Sequence, residues 1–417
     1  MKLLIISAAF PPMRAGEAEH ALHLCTHLAS RGANVHLLTT KGQSAPASGS
    51  FHIHAAMKSW SWSDVPTLVT LLRKIQPDLV LLIYTAWIYQ SHPMITFAPT
   101  IVKRVLGKVS FITQLETIKE EDWLQTLATR AIRKLVKYGV GGAGVDYMMG
   151  TLYRDSDRLI VLSEHHLSQL SVLMPDVASK TEVIPPPPLI PMCADAQIAR
   201  KQGRAQLALD PNHFLLAYFG YVDYTKGVET LLQAVQLVTK QAGNVRLVMI
   251  GGGRGTAKTA LDQRGEFVAS YAREMQSLSE RLGIVDKVTW LPGYSSGSQE
   301  ASMYLYAADV CVLPFDQGVI LSRSSLAAAA AHGLPIITTR GEHLESPFRD
   351  GENVFLCRPK DPEELAQAII SLMMNPKLIQ DLRNGACQLG EDWFSWDKAV
   401  ARTIGTFQKE RRYVRDM

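Results

Sequence analysis

No apolar run in this 417-residue chain reaches the roughly 18 residues that a membrane-spanning helix needs. Cysteine is scarce: Cys25, Cys193, Cys311, Cys357 and Cys387 are odd in number, widely spread and form no Cys-x-x-Cys pair. That excludes a disulfide framework and a cysteine zinc site, so the five read as small buried hydrophobes in a reducing compartment. Charge of one sign is lacking as well. Lys+Arg 43 against Asp+Glu 39 leaves +4, too little for the concentrated basic face that nucleic acid requires. What is present is an ordinary globular composition, 47% hydrophobic and 20% charged, which excludes a disordered, collagen-like or acidic solvating chain. At about 150 residues per domain, the length accommodates two large domains or three small ones. Met1-Lys2 and the apolar residues 3–10 resemble a leader, but the run is short and Pro11-Pro12 follows where a small-residue cleavage site belongs. The expectation is a mature first strand in a cytoplasmic protein.

Residues 3–7 are apolar without alternation, the pattern of a strand buried on both faces. A Pro/Gly loop follows, then Ala18, Ala21, Leu22, Cys25, Leu28 and Ala29 recur at helical spacing, with Gly32 just past the end. The next strand falls at 35–39. Strand, glycine loop, helix and strand within about 35 residues make a βαβ unit, whose parallel strands need the crossover helix. Further buried strands are expected at 79–84, 109–113 and 159–163. The second half repeats the plan, with strands at 214–219, 245–250, 288–291, 310–313 and 335–338. Two successive doubly wound α/β domains follow, with ligand expected where loops leave the carboxyl ends of the strands. The tract Pro185–Pro188 reads as a stiff spacer between residues 1–190 and 191–390. The remaining segment, 391–417, holds a helix long enough to reach back to the first domain.

The landmarks along the chain resemble a known family. Pro11-Pro12 with Ala15-Gly16, the segment 31–35 and the segment 157–163 stand in the first half. Gly220 with Lys226-Gly227, Ile250-Gly251-Gly252-Gly253, Leu291-Pro292-Gly293, Ala308-Asp309-Val310, His332-Gly333-Leu334-Pro335 and Phe394-Ser395-Trp396 follow in order. This set is similar to the GT-B fold glycosyltransferases of family 4 (group 1), over about 380 residues. The resemblance implies two Rossmann-like domains facing each other across a cleft. The first would bind the acceptor and the second a nucleotide-sugar, a UDP-sugar foremost, with no cofactor. It also implies a retaining transfer without a metal.

The physical requirement of such a reaction is neutralisation of the charge that grows on a leaving diphosphate. Cationic side chains with backbone N–H groups at helix N-termini can supply it. Lys226 stands between a strand and a helix, and the family likeness makes it a diphosphate ligand; the plain alternative is a solvated lysine. Gly220, Gly251 and Gly252 belong to the same donor loops, and Gly16 of the first domain would admit the phosphates closely, unless it is a simple turn glycine.

Two departures from the family pattern bear on chemistry. Where an arginine precedes the lysine by five residues, this chain has Tyr221. Where two glutamates eight apart are usual, it has Ile320 and Ala328. Arg323, among Ser322, Ser324 and Ser325 at the start of an alanine-rich helix, is expected to restore the charge lost at Tyr221 by bidentate bonds to phosphate. A capping serine with a surface arginine is the plain alternative. Asp316 is a further donor-contacting position, towards sugar hydroxyls or ribose. In the first domain the family's histidine position aligns with Leu115, and Glu116 beside it is either an acceptor-binding carboxylate or base, or a solvated loop residue.

Three other patterns are set against plain explanations. Asp155-Ser156-Asp157 has the form of a metal-binding Asp-x-Asp but is read as structural, since short matches are common. His20, His23 and His27 form an i, i+3, i+7 stripe, read as a polar helix face and not a metal site. Arg130, Arg133, Lys134 and Lys137 make one basic helix face, which would serve either peripheral contact with anionic lipid or a phosphorylated acceptor, or else simply be solvated. The favoured function is transfer of a sugar from a nucleotide-diphosphate sugar to a small-molecule, glycan or lipid-linked acceptor. The losses at Tyr221, Leu115, Ile320 and Ala328 leave a catalytically degenerate binding subunit as an alternative, and a nucleotide-sugar epimerase as a weaker one.

Overall fold

The computed structural model describes residues 1–13, 15–44, 50–116, 118, 149–251, 262–291, 293 and 297–415. The basic set Arg130, Arg133, Lys134 and Lys137, and Gly252, lie outside the described residues. The chain divides into two compact units, Met1–Pro185 with Trp396–Met417, and Pro186–Ser395.

The first unit is built on a seven-stranded sheet of β1 (Lys2–Ile6), β2 (Asn34–Thr40), β3 (His52–Met57), β4 (Leu79–Tyr84), β5 (Ser110–Leu115), β6 (Arg158–Val161) and β7 (Thr181–Val183). Their spatial order is β3-β2-β1-β4-β5-β6-β7, and every pair is parallel. Because β1 lies between β2 and β4, the direction of winding reverses there. Both sheet faces are covered, as an all-parallel sheet requires. One face buries Leu4, Ile6, Val80, Leu82 and Phe111, and the other buries Leu3, Ile5, Val35, Leu37 and Leu81. That second face packs against Ala21, Leu24, Cys25 and Leu28 of helix Gly16–Ser30. Ala399, Val400 and Phe407 of the final helix, Trp396–Arg415, join the same cluster, so the chain end returns to the first unit.

The second unit has a six-stranded sheet of β8 (Phe214–Phe219), β9 (Val245–Ile250), β10 (Val288–Trp290), β11 (Val310–Leu313), β12 (Ile336–Thr339) and β13 (Phe355–Cys357). The order is β10-β9-β8-β11-β12-β13, again parallel throughout. One cluster surrounds this sheet, with Val228, Leu231, Leu232 and Val235 of helix Val228–Gln241 on the face that the sequence spacing predicts.

The proline tract stands where the two units divide. Pro185–Pro188 are all buried, so the stiff segment is packed into its surroundings. Cys25, Cys311 and Cys357 are buried, whereas Cys193 is half-buried and Cys387 exposed; none is bonded to another. Among the described residues no helix is long and apolar enough to cross a membrane.

Candidate functional site

In the second unit the loops that leave β8 and β11 interlock. The 220–227 loop starts as Gly220 N–H donates to Ile250 O of β9. Asp223 closes a turn by accepting from Thr225 N and Oγ1 at 3.0 and 3.1 Å. Thr225 O in turn accepts from Asp316 N at 3.1 Å, tying this loop to the one after β11. At the junction Gly227 has φ +67, and a Cβ there would lie 1.8 Å from Pro314 O. Only glycine permits this approach. Gly227 is also the N-cap of helix Val228–Gln241, and no side chain caps that helix.

The second interlocked loop, 315–323, ends at helix Ser324–Ala331. Its N-cap is Arg323, and again no side chain caps it. Capping serine is therefore not the arrangement found: Ser324 and Ser325 stand inside the first turn, and Ser322 precedes the cap. The first N–H groups of such a helix have no intrahelical acceptor and favour an anion. Gly220 comes close to this turn, with Ser325 Cβ 3.8 Å from where a Cβ on Gly220 would be.

Lys226 and Arg323 meet on one surface. The Lys226 Nζ lies 5.3 Å from the centre of the Phe315 ring, and the Arg323 guanidinium carbon 4.9 Å from it. Phe315 itself is buried. An aromatic face attracts both cations and offsets part of their mutual repulsion. Burial pushes the Arg323 pKa down, against the nearby Asp223, Tyr218 and Glu345, which favour its charged form. Its Nε is buried without a hydrogen-bond partner among the described residues. A buried charged donor left in that state calls for an acceptor.

The other positions that the sequence singles out in the second unit are placed as follows. Tyr221 is 56% exposed, and its carbonyl accepts from Tyr218 Oη at 2.8 Å. Gly251 follows β9 directly at φ +87. Asp316 lies 3.7 Å from Lys360 Nζ, a cation that sequence reasoning missed because it is more than 40 residues away. Ala328 is fully buried in the apolar cluster, so the second glutamate position holds a small apolar side chain packed among apolar neighbours. Glu345 and Phe315 were also missed; neither has a motif of its own.

In the first unit, Gly16 opens helix Gly16–Ser30 after an extended Ala15 N-cap. Leu115 is fully buried at the end of β5, which leaves Glu116 as the side chain at the strand terminus. Glu116 accepts from Gln114 Nε2 at 3.3 Å, and the same amide nitrogen donates to His20 Nε2 at 2.9 Å. Trp87 Nε1 donates to Glu17 Oε1 at 3.0 Å. Burial, and then the neighbouring Glu17 carboxylate, push the Glu116 pKa well above the usual carboxylate range, against the Gln114 bond. Burial lowers His20 to about 4, against the Gln114 bond, with His23 lowering it further.

The Asp-x-Asp carboxylates are engaged within the first unit, and the histidine stripe is a packed face whose His20 is buried. Asp157 pairs with Lys103 Nζ at 2.5 Å and accepts from Phe111 N at 2.7 Å, while Asp155 pairs with Arg154 at 2.6 Å and accepts from Thr100. The histidine stripe packs on one ring: His20, His23 and His27 lie 5.8, 5.5 and 4.8 Å from Trp396 of the final helix. Among the described residues no group of three His, Cys, Asp or Glu is arranged to hold a metal ion.

Two parallel doubly wound units of seven and six strands define a protein of the GT-B fold. Solved structures share it across almost the whole chain. Sucrose-phosphate synthase from Thermosynechococcus elongatus is 18% identical with a TM-score of 0.70, covering 98% of each chain. The Anabaena protein HepE, solved in complex with UDP, is 16% identical with a TM-score of 0.68, covering 98% of this chain and 100% of its own. Residues 213–375 match the family described as glycosyl transferases group 1. The second unit is thus similar to the glycosyl transferases of group 1, and the whole chain shares the GT-B fold. Among curated relatives, the D-inositol 3-phosphate glycosyltransferase of Segniliparus rotundus is 26% identical over 267 residues, 63% of this chain and 54% of that protein. That of Actinosynnema mirum is 24% identical over 266 residues, 63% of this chain and 60% of that protein. The matches thus span little more than half the length of these relatives.

Proposed function

We propose that the protein is a glycosyltransferase that moves a sugar from a nucleoside-diphosphate sugar to a hydroxyl-bearing acceptor. The observation that carries this reading is the meeting of Lys226 and Arg323 on Phe315, with a buried Arg323 Nε that lacks an acceptor. Two cations and two uncapped helix N-termini are what a diphosphate needs. As the anomeric C–O bond breaks, its electron pair leaves on the diphosphate, and these groups stabilise the charge where it develops. The new C–O bond forms to the acceptor oxygen. A protein-supplied cationic site of this kind carries the leaving group without requiring a metal.

UDP is the preferred nucleotide, supported by the GT-B neighbour solved with UDP. Retention follows the family likeness. In the first unit Glu116 serves the acceptor, its carboxylate binding the hydroxyl or taking its proton; burial and the neighbouring Glu17 raise its pKa and so make the ionised form a stronger base. The relatives named for inositol 3-phosphate support a polyhydroxyl acceptor, small or carried on a glycan or lipid. The peripheral membrane contact proposed for Arg130, Arg133, Lys134 and Lys137 would serve the last of these.

The test is turnover. The protein is incubated with UDP-, GDP-, ADP- and TDP-sugars and a panel of polyol and glycan acceptors, with EDTA present, and nucleoside diphosphate release is measured. Release that depends on acceptor and persists in EDTA is the expected result. Tight diphosphate binding with no release for any pair would make the protein a binding subunit. Sugar interconversion without acceptor would make it an epimerase.

A further inference from the structure

The 315–323 loop carries Arg323 to its place, and several of its attachments are backbone to backbone. Asp316 N donates to Thr225 O, Val319 N to Thr339 O at 2.9 Å and Arg323 N to Ile320 O at 3.2 Å. Side chains attach it as well: Thr339 Oγ1 donates to Phe315 O and Lys360 Nζ lies 3.7 Å from Asp316 at its start, while Leu321 N, two residues before Arg323, donates to Glu345 Oε2. Glu345 comes from the segment after β12 and is only 5% exposed. A buried carboxylate is costly unless hydrogen bonds and nearby positive charge compensate it. The two segments touch without side chains between them. Gly318 has φ +87, and a Cβ there would lie 2.1 Å from Gly341 N and Cα. Glu345 is thus fixed against the turn that leads to Arg323, and its negative charge favours the charged guanidinium.

We propose that Glu345 is a positioning residue for the diphosphate: by holding Leu321 N–H beside Arg323 it sets the loop that presents the guanidinium. The proposal rests on the reading of Lys226 and Arg323 as diphosphate ligands. Glu345 lies 17 residues beyond Ala328, the last position of the usual glutamate pair, so it is not one of that pair.

Calorimetric titration of the full chain with UDP, GDP, ADP and TDP tests this, the tightest of the four serving as probe. Glu345→Ala is expected to weaken the probe about tenfold. Glu345→Gln, whose amide oxygen still accepts from Leu321 N–H, should weaken it only about two- to threefold. In an Arg323→Ala background, Glu345→Ala should add less than about twofold, because its effect passes through the guanidinium. Wild-type affinity in Glu345→Ala, or an undiminished loss in the Arg323→Ala background, overturns the proposal. If Arg323→Ala binds like wild type, or no probe binds wild type, the diphosphate reading itself fails. Should Glu345→Ala not fold by circular dichroism, Glu345→Gln decides, with equal affinity to wild type counting against the proposal.

Discussion

Lys226 and Arg323 illustrate how one side chain's environment sets its chemistry. A lone lysine in a loop is ordinarily solvated, yet here its ammonium shares the Phe315 ring with a largely buried guanidinium. Replacing Phe315 by leucine keeps the core filled but removes the cation-attracting face. The expected outcome is diphosphate affinity lowered about three- to fivefold with little change in melting temperature, read by calorimetry and thermal unfolding. Gly227→Ala makes a different prediction, since its Cβ would meet Pro314 O at 1.8 Å in a left-handed backbone. Destabilisation of about 2–4 kcal/mol is expected in urea unfolding. Glu116 gives a pH signature. Its folded pKa is raised, so the native state holds the proton more tightly, and the stability this contributes below the unfolded value is lost as pH climbs through the folded one. Glu116→Gln should therefore be more stable than wild type at pH 8 relative to pH 5, while its turnover falls about a hundredfold with diphosphate affinity unchanged.

At the scale of elements, buried strands were more legible than edges, of which only β10 was read, at 288–291. The unbroken apolar runs of β1, β4, β8 and β9 announce strands covered on both faces, and they stand within a residue or two of expectation. Three of the four edge strands, β3, β7 and β13, carry weaker signals, because a strand with one neighbour needs less apolar surface. β3 reads His52, Ile53, His54 and is mostly half-exposed. Loop position and helix chemistry single out Lys226 and Arg323 in the sequence, and both side chains lie on the Phe315 ring. Phe315, Lys360 and Glu345 are not singled out there, because tertiary contacts alone bring them in. β3 also carries a prediction. His36 of β2 lies 3.0 Å from His54, and its ring stacks on His52 at 4.8 Å. Burial, then the neighbouring imidazoles, lower His36 to about 4. A lowered histidine favours the native state above its unfolded pKa, so this stability is lost as pH falls from about 6.5 towards 4. His36→Gln should flatten the acid side of the stability profile measured by urea unfolding, and an unchanged profile would count against the cluster.

At the scale of the whole molecule, the chain crosses between its two units at Pro185 and again at Ser395, so the first unit is completed only by the last helix. Phe407 is fully buried against the first sheet's helix-covered face, and Trp396 closes the histidine stripe. Phe407→Ala should cost about 3–5 kcal/mol, confined to the first unit. Calorimetric unfolding is expected to show one transition moved down and the other kept, whereas a uniform shift of both would mean that the units do not unfold separately. The central claim concerns the second unit, where two interlocked loops bring a lysine, an arginine and two helix N-termini to one place. The most direct measurement is a crystal structure of the protein with UDP. The diphosphate oxygens should lie within hydrogen-bond distance of Lys226 Nζ and the Arg323 guanidinium; a diphosphate bound away from both side chains would contradict the account.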